Sequence, residues 1–437
     1  MEYIPNILFA ILLIIGVGYF TKNVKKLSRN IKLGKDVDRS DNKQQRWKNM
    51  GMIALGQSKM VRRPIAGFFH IVVYVGFVII NIEVLEIIID GLFGTHRIFT
   101  KVLPDSVYGF LIGTFEVLAV AVLISVIIFW IRRNIIKLKR FLSAEMKGWP
   151  KSDGNIILYF EVVLMTLFLV MNASDLQFQE AGTGNIISQY LYPLFEGNES
   201  MAGIVERSAW WLHITGILVF LNYLYYSKHL HILLAFPNTW YANLKSKGEF
   251  VNDANVTKEV MLMMDPNADP FAAPAEGEDE AEPEKFGASD VQDLNWVQLL
   301  NAYTCTECGR CTSECPANQT GKKLSPRKIM MDTRDRLEEV GKNIDANNGK
   351  YVDDGKSLLN DYITTEELWA CTSCNACVEA CPVSIDPLSI IMEMRKYLVM
   401  EQSAAPTELN VMMGNIENNG APWPFNQMDR LNWKDEN

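Results

Sequence analysis

Not one of the eight cysteines lies outside two short runs, so the chain has no spare thiol for a structural disulfide or a nucleophile. No G-x-G-x-x-G loop is present, nor any flavin, nicotinamide or molybdenum signature, which argues against a self-contained enzyme. Histidine is scarce, at five residues. Lysine and arginine are missing from 265–284, which holds eight acidic side chains among prolines and alanines. That composition cannot bury enough apolar surface to fold, and a flexible tether is expected there. The formal net charge of −9 says little as a sum, because acidic and basic residues are segregated along the chain. No nucleic-acid partner is expected.

What is present is more specific. Cys305, Cys308, Cys311 and Cys315-Pro316 read C-x2-C-x2-C-x3-C-P, and Cys371, Cys374, Cys377 and Cys381-Pro382 repeat it. This is the bacterial-ferredoxin spacing for two [4Fe–4S] clusters. In such ferredoxins the fourth cysteine of each run ligates the other cluster. One ligand set is then Cys305, Cys308, Cys311 and Cys381; the other is Cys371, Cys374, Cys377 and Cys315. Zinc sites pair two C-x2-C knuckles instead of using a four-cysteine run ending in Cys-Pro. The two runs are offset by 66 residues and flanked by helical patterns over 291–303, 325–340 and 386–400. A compact βαβ ferredoxin would place them closer, so an α-helical ferredoxin domain is expected.

The N-terminal half carries five apolar stretches, at 4–21, 65–89, 107–131, 155–173 and 209–235, most of them near the length that spans hydrocarbon as a helix. Segment 22–63 holds 13 Lys/Arg and 132–154 holds seven, against two in 90–106 and one in 174–208. By the positive-inside rule the N-terminus lies outside and the C-terminus inside. Iron-binding thiolates need a reducing compartment, which independently places the cysteine half in the cytoplasm. The expected location is a bacterial-type inner membrane. Met1-Glu2-Tyr3 lacks the positive flank of a signal peptide.

Four of the five histidines lie in or at the edge of a span. An intramembrane ionisable side chain is a functional candidate by default, although any one of them could be a packed or interfacial residue. His70 and His231 sit at matching depth near the cytoplasmic face, as two axial ligands of a haem b would. His213 precedes His231 by five helical turns and aligns with a second haem, for which His96 is the one outer-side partner. His229 faces away and is the weaker alternative to His231. Glu83 and Glu86 are candidates for handling quinol protons.

Tyr303-Thr304-Cys305-Thr306-Glu307-Cys308-Gly309-Arg310-Cys311, Ser325-Pro326-Arg327-Lys328 and Trp369-Ala370-Cys371-Thr372-Ser373-Cys374 resemble the heterodisulfide-reductase-related iron–sulfur proteins. Phe69-His70, Trp211-Leu212-His213 and Ser227-Lys228-His229-Leu230-His231 resemble the cytochrome b subunit of that family and, more distantly, the gamma subunit of respiratory nitrate reductase. The resemblance implies haem b, a quinone such as menaquinone, and a cytoplasmic catalytic partner with cysteine-rich CCG domains. Two departures matter. No cysteine remains for a CCG motif, so substrate chemistry belongs elsewhere. The second nitrate-reductase-type histidine of span two is replaced by Ile80, which puts a second haem in doubt.

The expected chain is therefore all-α. A transmembrane cytochrome b-like domain covers 1–240, a linker 241–290, a dicluster ferredoxin domain 291–404 and a partner-docking tail 405–437. Its expected function is electron transfer between a catalytic partner and membrane quinone. The alternative is a ferredoxin tethered by a passive, haem-free bundle.

Overall fold

The computed structural model describes residues 3–250, 252–266 and 285–435; beyond Asp265 and Pro266 the acidic tether lies outside them. Among the described residues every regular element is helical, with only isolated β-bridges. Five helices are long and apolar enough to cross a membrane: α1 (Ile4–Ile31), α2 (Pro64–Phe93), α3 (Asp105–Asn134), α4 (Trp149–Ser174) and α5 (Glu199–Tyr223). α1 packs on α2 and α5, α2 on α3, α3 on α4 and α4 on α5, which closes a ring.

Lipid supplies no hydrophobic drive between helices, so small residues set their approach. A Cβ on Gly76 would stand 2.5 Å from Val122, and one on Gly91 2.6 Å from the Phe9 ring. Those two glycines let α2 lie against α3 and α1. At the end away from the basic loops, buried carboxylates satisfy loop backbone. Glu116 accepts from the N–H groups of Ile187 (2.7 Å) and Ser188 (3.0 Å), and Glu86 from that of Phe99 (2.9 Å). Arg97 ties Asp175 (2.7 Å), Asn172 (2.9 Å) and Tyr108 (3.1 Å) together there. Glu86 thus helps to close the bundle end.

The fifth apolar stretch is not one helix. α5 runs into a 3-10 turn, Leu224–Tyr226, and breaks at Ser227, whose ψ is 148°. The cause is non-local. Asp153, on α4, accepts the Lys228 N–H at 3.1 Å and the Tyr223 hydroxyl at 2.6 Å, which pulls the chain out of helix. A turn at Lys228–Leu230 then leads into α6 (His231–Trp240). The helical register that aligned His213 with His231 therefore does not exist.

The C-terminal domain contains α7 (Trp296–Thr304), α8 (Arg310–Glu314), α9 (Pro326–Ala346), α10 (Thr365–Trp369), α11 (Ala376–Ala380) and α12 (Pro387–Met400). Reciprocal capping boxes start α7 (Asn295/Gln298) and α10 (Thr364/Glu367). Packing begins before α7: Ala288 N–H donates to Glu393 O at 3.0 Å, and Asp290 binds Arg336 at 2.7 Å. Arg336, with no exposed side-chain surface, also grips Asp354 at 2.6 Å and the Lys356 carbonyl at 2.8 Å. Arg336→Met should cost about 3 kcal/mol, because it strands two partly buried carboxylates. An unchanged thermal midpoint would refute that role.

This domain sits on the basic-loop end of the bundle. Asn30 donates to the Tyr303 hydroxyl at 2.9 Å, Lys35 N–H to Leu294 O at 2.8 Å and Asn238 to Val383 O at 2.8 Å. Arg29 and Lys26 pair with Asp345, and Arg63 with Glu314 at 2.9 Å. The side chain of Arg327 is fully buried against Glu145 (2.7 Å) and the Arg140 carbonyl (2.6 Å). The tail behaves differently. α13 (Thr407–Asn419) and the turn Gln427–Lys434 bury no residue, and Trp433 is 72% exposed.

Candidate redox site

The two cysteine runs fold alike. After the first cysteine of each comes an αL residue at the same place (Glu307, φ 52°; Ser373, φ 56°), and another follows the second cysteine (Gly309, φ 70°; Asn375, φ 60°). Each αL turn aims backbone N–H groups inward: Ser373 N–H donates to Cys371 Sγ at 3.4 Å. Past the second run, Ile385 N–H donates to Cys381 Sγ at 3.2 Å. Donors of this kind stabilise a negative cluster and tune its potential. The short helices α8 and α11 continue the two loops and pack against each other, so the loops face one another.

The thiols group across the runs. Cys311 has Cys308, Cys305 and Cys381 as electrostatic neighbours, with Cys377 more weakly, and Cys381 has Cys308. Cys371 and Cys377 both have Cys315 beside them, and Cys371 also Cys374. The exchange of fourth cysteines that the spacing suggests is compatible with these neighbours. Burial pushes the Cys305 thiol up to about 12 and the Cys381 thiol to about 11, and a metal that binds them must displace those protons. Around the first set lie Arg140 and Arg310, both beside Cys308, and Lys59, which donates to the Cys381 carbonyl at 3.3 Å. The second set has Arg395, which donates to the Leu368 carbonyl at 2.6 Å.

The first loop also touches the membrane half. Burial works against the Glu307 carboxylate, but Lys228 and Arg334 outweigh it and hold it below the usual range. Arg334 lies 2.8 Å from Glu307, and Lys228 donates to its other oxygen. Lys228 is three residues before His231, and its carbonyl lies 3.1 Å from His231 Nδ1. Lys228→Met should weaken this dock by about 3 kcal/mol, because Glu307 stays buried. Amide exchange in 149–152 and 305–309 is then expected to rise about a hundredfold; unchanged exchange would show the pair to be idle.

The histidines fall into three groups. The ring centroids of His70 and His231 are 6.4 Å apart. With metal–imidazole bonds of about 2 Å, an iron between two imidazoles sets their centroids roughly 6 Å apart. His231 Nδ1–H can donate to the Lys228 carbonyl, the outer-shell bond that fixes a ligating imidazole and leaves Nε2 free. Nδ1 of His70 is buried without a partner, and Arg310 of the first cysteine loop is an electrostatic neighbour of this ring. The pair therefore fits a bis-imidazole haem iron. His229 stands edge-on to His231, 5.4 Å between centroids, and packs on Phe220 at 5.5 Å. His213 lies apart, in the middle of the bundle beside Phe168 (6.2 Å). His96 is not drawn into the bundle to join it. Its side chain is 42% exposed, and Nε2 pairs with Asp175 at 3.1 Å.

With this geometry in place, comparison with known proteins is informative. Residues 304–385 match the model of the 4Fe-4S dicluster domain. Residues 304–385 are a 4Fe-4S dicluster domain. The probable iron-sulfur-binding oxidoreductase FadF of Bacillus subtilis is 29% identical over 464 residues, covering 98% of this chain and 61% of its own length. The EtfAB:quinone oxidoreductase of Syntrophomonas wolfei is 26% identical over 462 residues, 98% of this chain and 59% of its own. The ferredoxin/F(420)H(2)-dependent CoB-CoM heterodisulfide reductase of Methanosarcina acetivorans adds a shorter match. One of its polypeptides is 34% identical over 120 residues, which is 27% of this chain and 60% of that polypeptide. The resemblance to heterodisulfide-reductase-related iron–sulfur proteins is thereby upheld. This chain spans about 60% of the length of the first two relatives. No solved structure matches. The chain thus joins a 4Fe-4S dicluster domain to five helices long and apolar enough to cross a membrane.

Sequence reasoning missed Lys228, Glu307 and Arg310 as the link between the two halves. Only the motif context of Glu307 and Arg310, inside the first cysteine run, hinted at them.

Proposed function

We propose that the chain passes electrons between a cytoplasmic catalytic partner and membrane quinone, through two [4Fe–4S] clusters and a haem b between His70 and His231. The observation that carries this reading is the 6.4 Å separation of those two imidazoles next to the first cysteine loop. The cofactors supply the one-electron chemistry, and the chain supplies position and potential. The first ligand set lies against the membrane half and is the one with Lys59, Arg140 and Arg310 around it. That favours the route partner, second cluster, first cluster, haem, with the more cationic cluster holding the electron more tightly.

The name of the Syntrophomonas relative supports a quinone as one electron partner and a flavoprotein of the EtfAB type as the other. The resemblance to the heterodisulfide-reductase-related proteins supports a catalytic partner of the CCG type. The exposed tail after α12 is the surface on which such a partner would dock, since tryptophan is enriched at interface hot spots. In this reading the basic-loop end faces the cytoplasm.

The test is the dithionite-reduced-minus-oxidised optical spectrum of the purified chain, with haem and non-haem iron counted. A sharp haem b α-band beside about eight non-haem irons supports the reading. Iron without haem leaves a ferredoxin tethered by a passive bundle.

A further inference from the structure

The middle of the bundle holds a cavity of about 60 Å3, with α2, α3, α4 and α5 around it. Its wall is apolar except for Asn81, Glu161 and His213. Asn81 is occupied by its own helix, donating to the Phe77 carbonyl. The other two keep polar atoms that the protein does not satisfy. His213 is 2% exposed; its ring has the Leu164 backbone as one hydrogen-bonding neighbour, while Nδ1 is buried with no partner. Glu161 is 8% exposed and makes no hydrogen bond or ion pair to any described residue. Two buried polar side chains left open into one apolar chamber are costly, by about 1–3 kcal/mol each, unless something occupies them.

We propose that this cavity takes the head group of a lipid-soluble quinone or quinol, with His213 and Glu161 as its hydrogen-bonding partners. The inference rests on the reading that the membrane half exchanges electrons with quinone, and adds the site. Three observations select that ligand class. The chamber lies at mid-membrane depth, roughly 9 to 20 Å along α2 from His70, where a charged or water-soluble substrate does not partition. Its lining is apolar, with polar groups that match the oxygens of a quinone ring. Phe77, 38% exposed on the lipid-facing surface, forms part of its wall, so an isoprenoid tail can leave past it into the bilayer. A two-ring head group needs more room than the present volume. Met165, unbranched and adaptable, and Phe77 at the rim are the side chains able to swing aside.

This assigns His213 a different task from the second haem that its spacing suggested. The position facing it from α2 is Ile80, which has no ligating atom and lines the same chamber. Water is the competing occupant: the volume suits about two molecules.

The experiment uses the full chain in detergent with menadiol as the quinol probe and 2-heptyl-4-hydroxyquinoline N-oxide as the binding probe. His213→Leu and Glu161→Leu are each expected to slow menadiol reduction of the haem by about tenfold or more, and to weaken inhibitor binding by a similar factor, as for one lost hydrogen bond. Haem content and the dithionite-reduced spectrum should stay at wild-type values. Val84→Phe, which only fills the chamber, should do the same and stands in should either polar variant fail to accumulate. Wild-type rates and inhibitor affinity in all accumulating variants would overturn the site and point to water. Two haems per chain, one lost in His213→Leu, would overturn it too. Wild-type haem that menadiol never reduces would instead bring down the quinone reading beneath it.

Discussion

His231→Ala protein is expected to show no haem b α-band while keeping about eight non-haem irons per chain. The imidazole of His231 is held from behind by the Lys228 carbonyl at 3.1 Å and stands 6.4 Å from that of His70. His229 is its nearest imidazole neighbour. His229 is turned edge-on to it and packed on Phe220, and no other imidazole is in ring contact with His70. His70→Ala should give the same spectrum. His213→Ala should retain the band. Quinol-driven reduction of the clusters should fall at least about a hundredfold in the first two variants, because the bridge between membrane and clusters is gone. A full α-band in His231→Ala would move the haem elsewhere or remove it from the account.

Cys315→Ser tests the exchange of ligands between the runs and should cost about four of the eight irons. The cluster lost should be the one on Cys371, Cys374 and Cys377, although Cys315 belongs to the other run. Arg140 identifies the survivor, because its cysteine neighbour is Cys308 of the first set. In the Cys315→Ser background, Arg140→Gln should lower the remaining potential by on the order of tens of millivolts, the Coulomb effect of one nearby charge. In a Cys381→Ser background the same change should leave the potential still. The opposite pattern would mean that each run holds its own cluster. Both serine variants should also lower the thermal midpoint of the domain, since metal binding and folding are one equilibrium in sites of this kind.

Much of this was legible in the sequence because the signals are local. Two runs of four cysteines need no tertiary information, and neither do five long apolar stretches. The pairing of His70 with His231 followed from depth alone. What escaped was set by contacts between residues far apart. The stretch 209–235 carries no glycine or proline near its break except Gly216, so nothing warned that α5 would stop at Ser227. The break is made by Asp153, about 75 positions earlier. With it went the register argument for His213, whose real surroundings come from three other helices. The partner of Glu86, the Phe99 amide, was likewise out of reach, because it is a backbone group of the following loop. The docking of the dicluster domain was invisible for the same reason. The arginines of 22–63 read as a topology signal, and their second use against Glu314, Glu379 and Asp345 shows only in three dimensions.

That second use has a consequence for biogenesis. The platform under the dicluster domain is assembled from α1, the loop before α2, the loop before α4 and the segment after α5. It is complete only once the last membrane helix has been inserted, and the iron-binding half emerges from the ribosome after that. Synthesis order therefore matches assembly order: the seat exists before its occupant is made. A chain stalled before iron delivery would sit in the membrane with its arginine-lined face uncovered, a distinctive surface by which a cell could tell unfinished copies from finished ones.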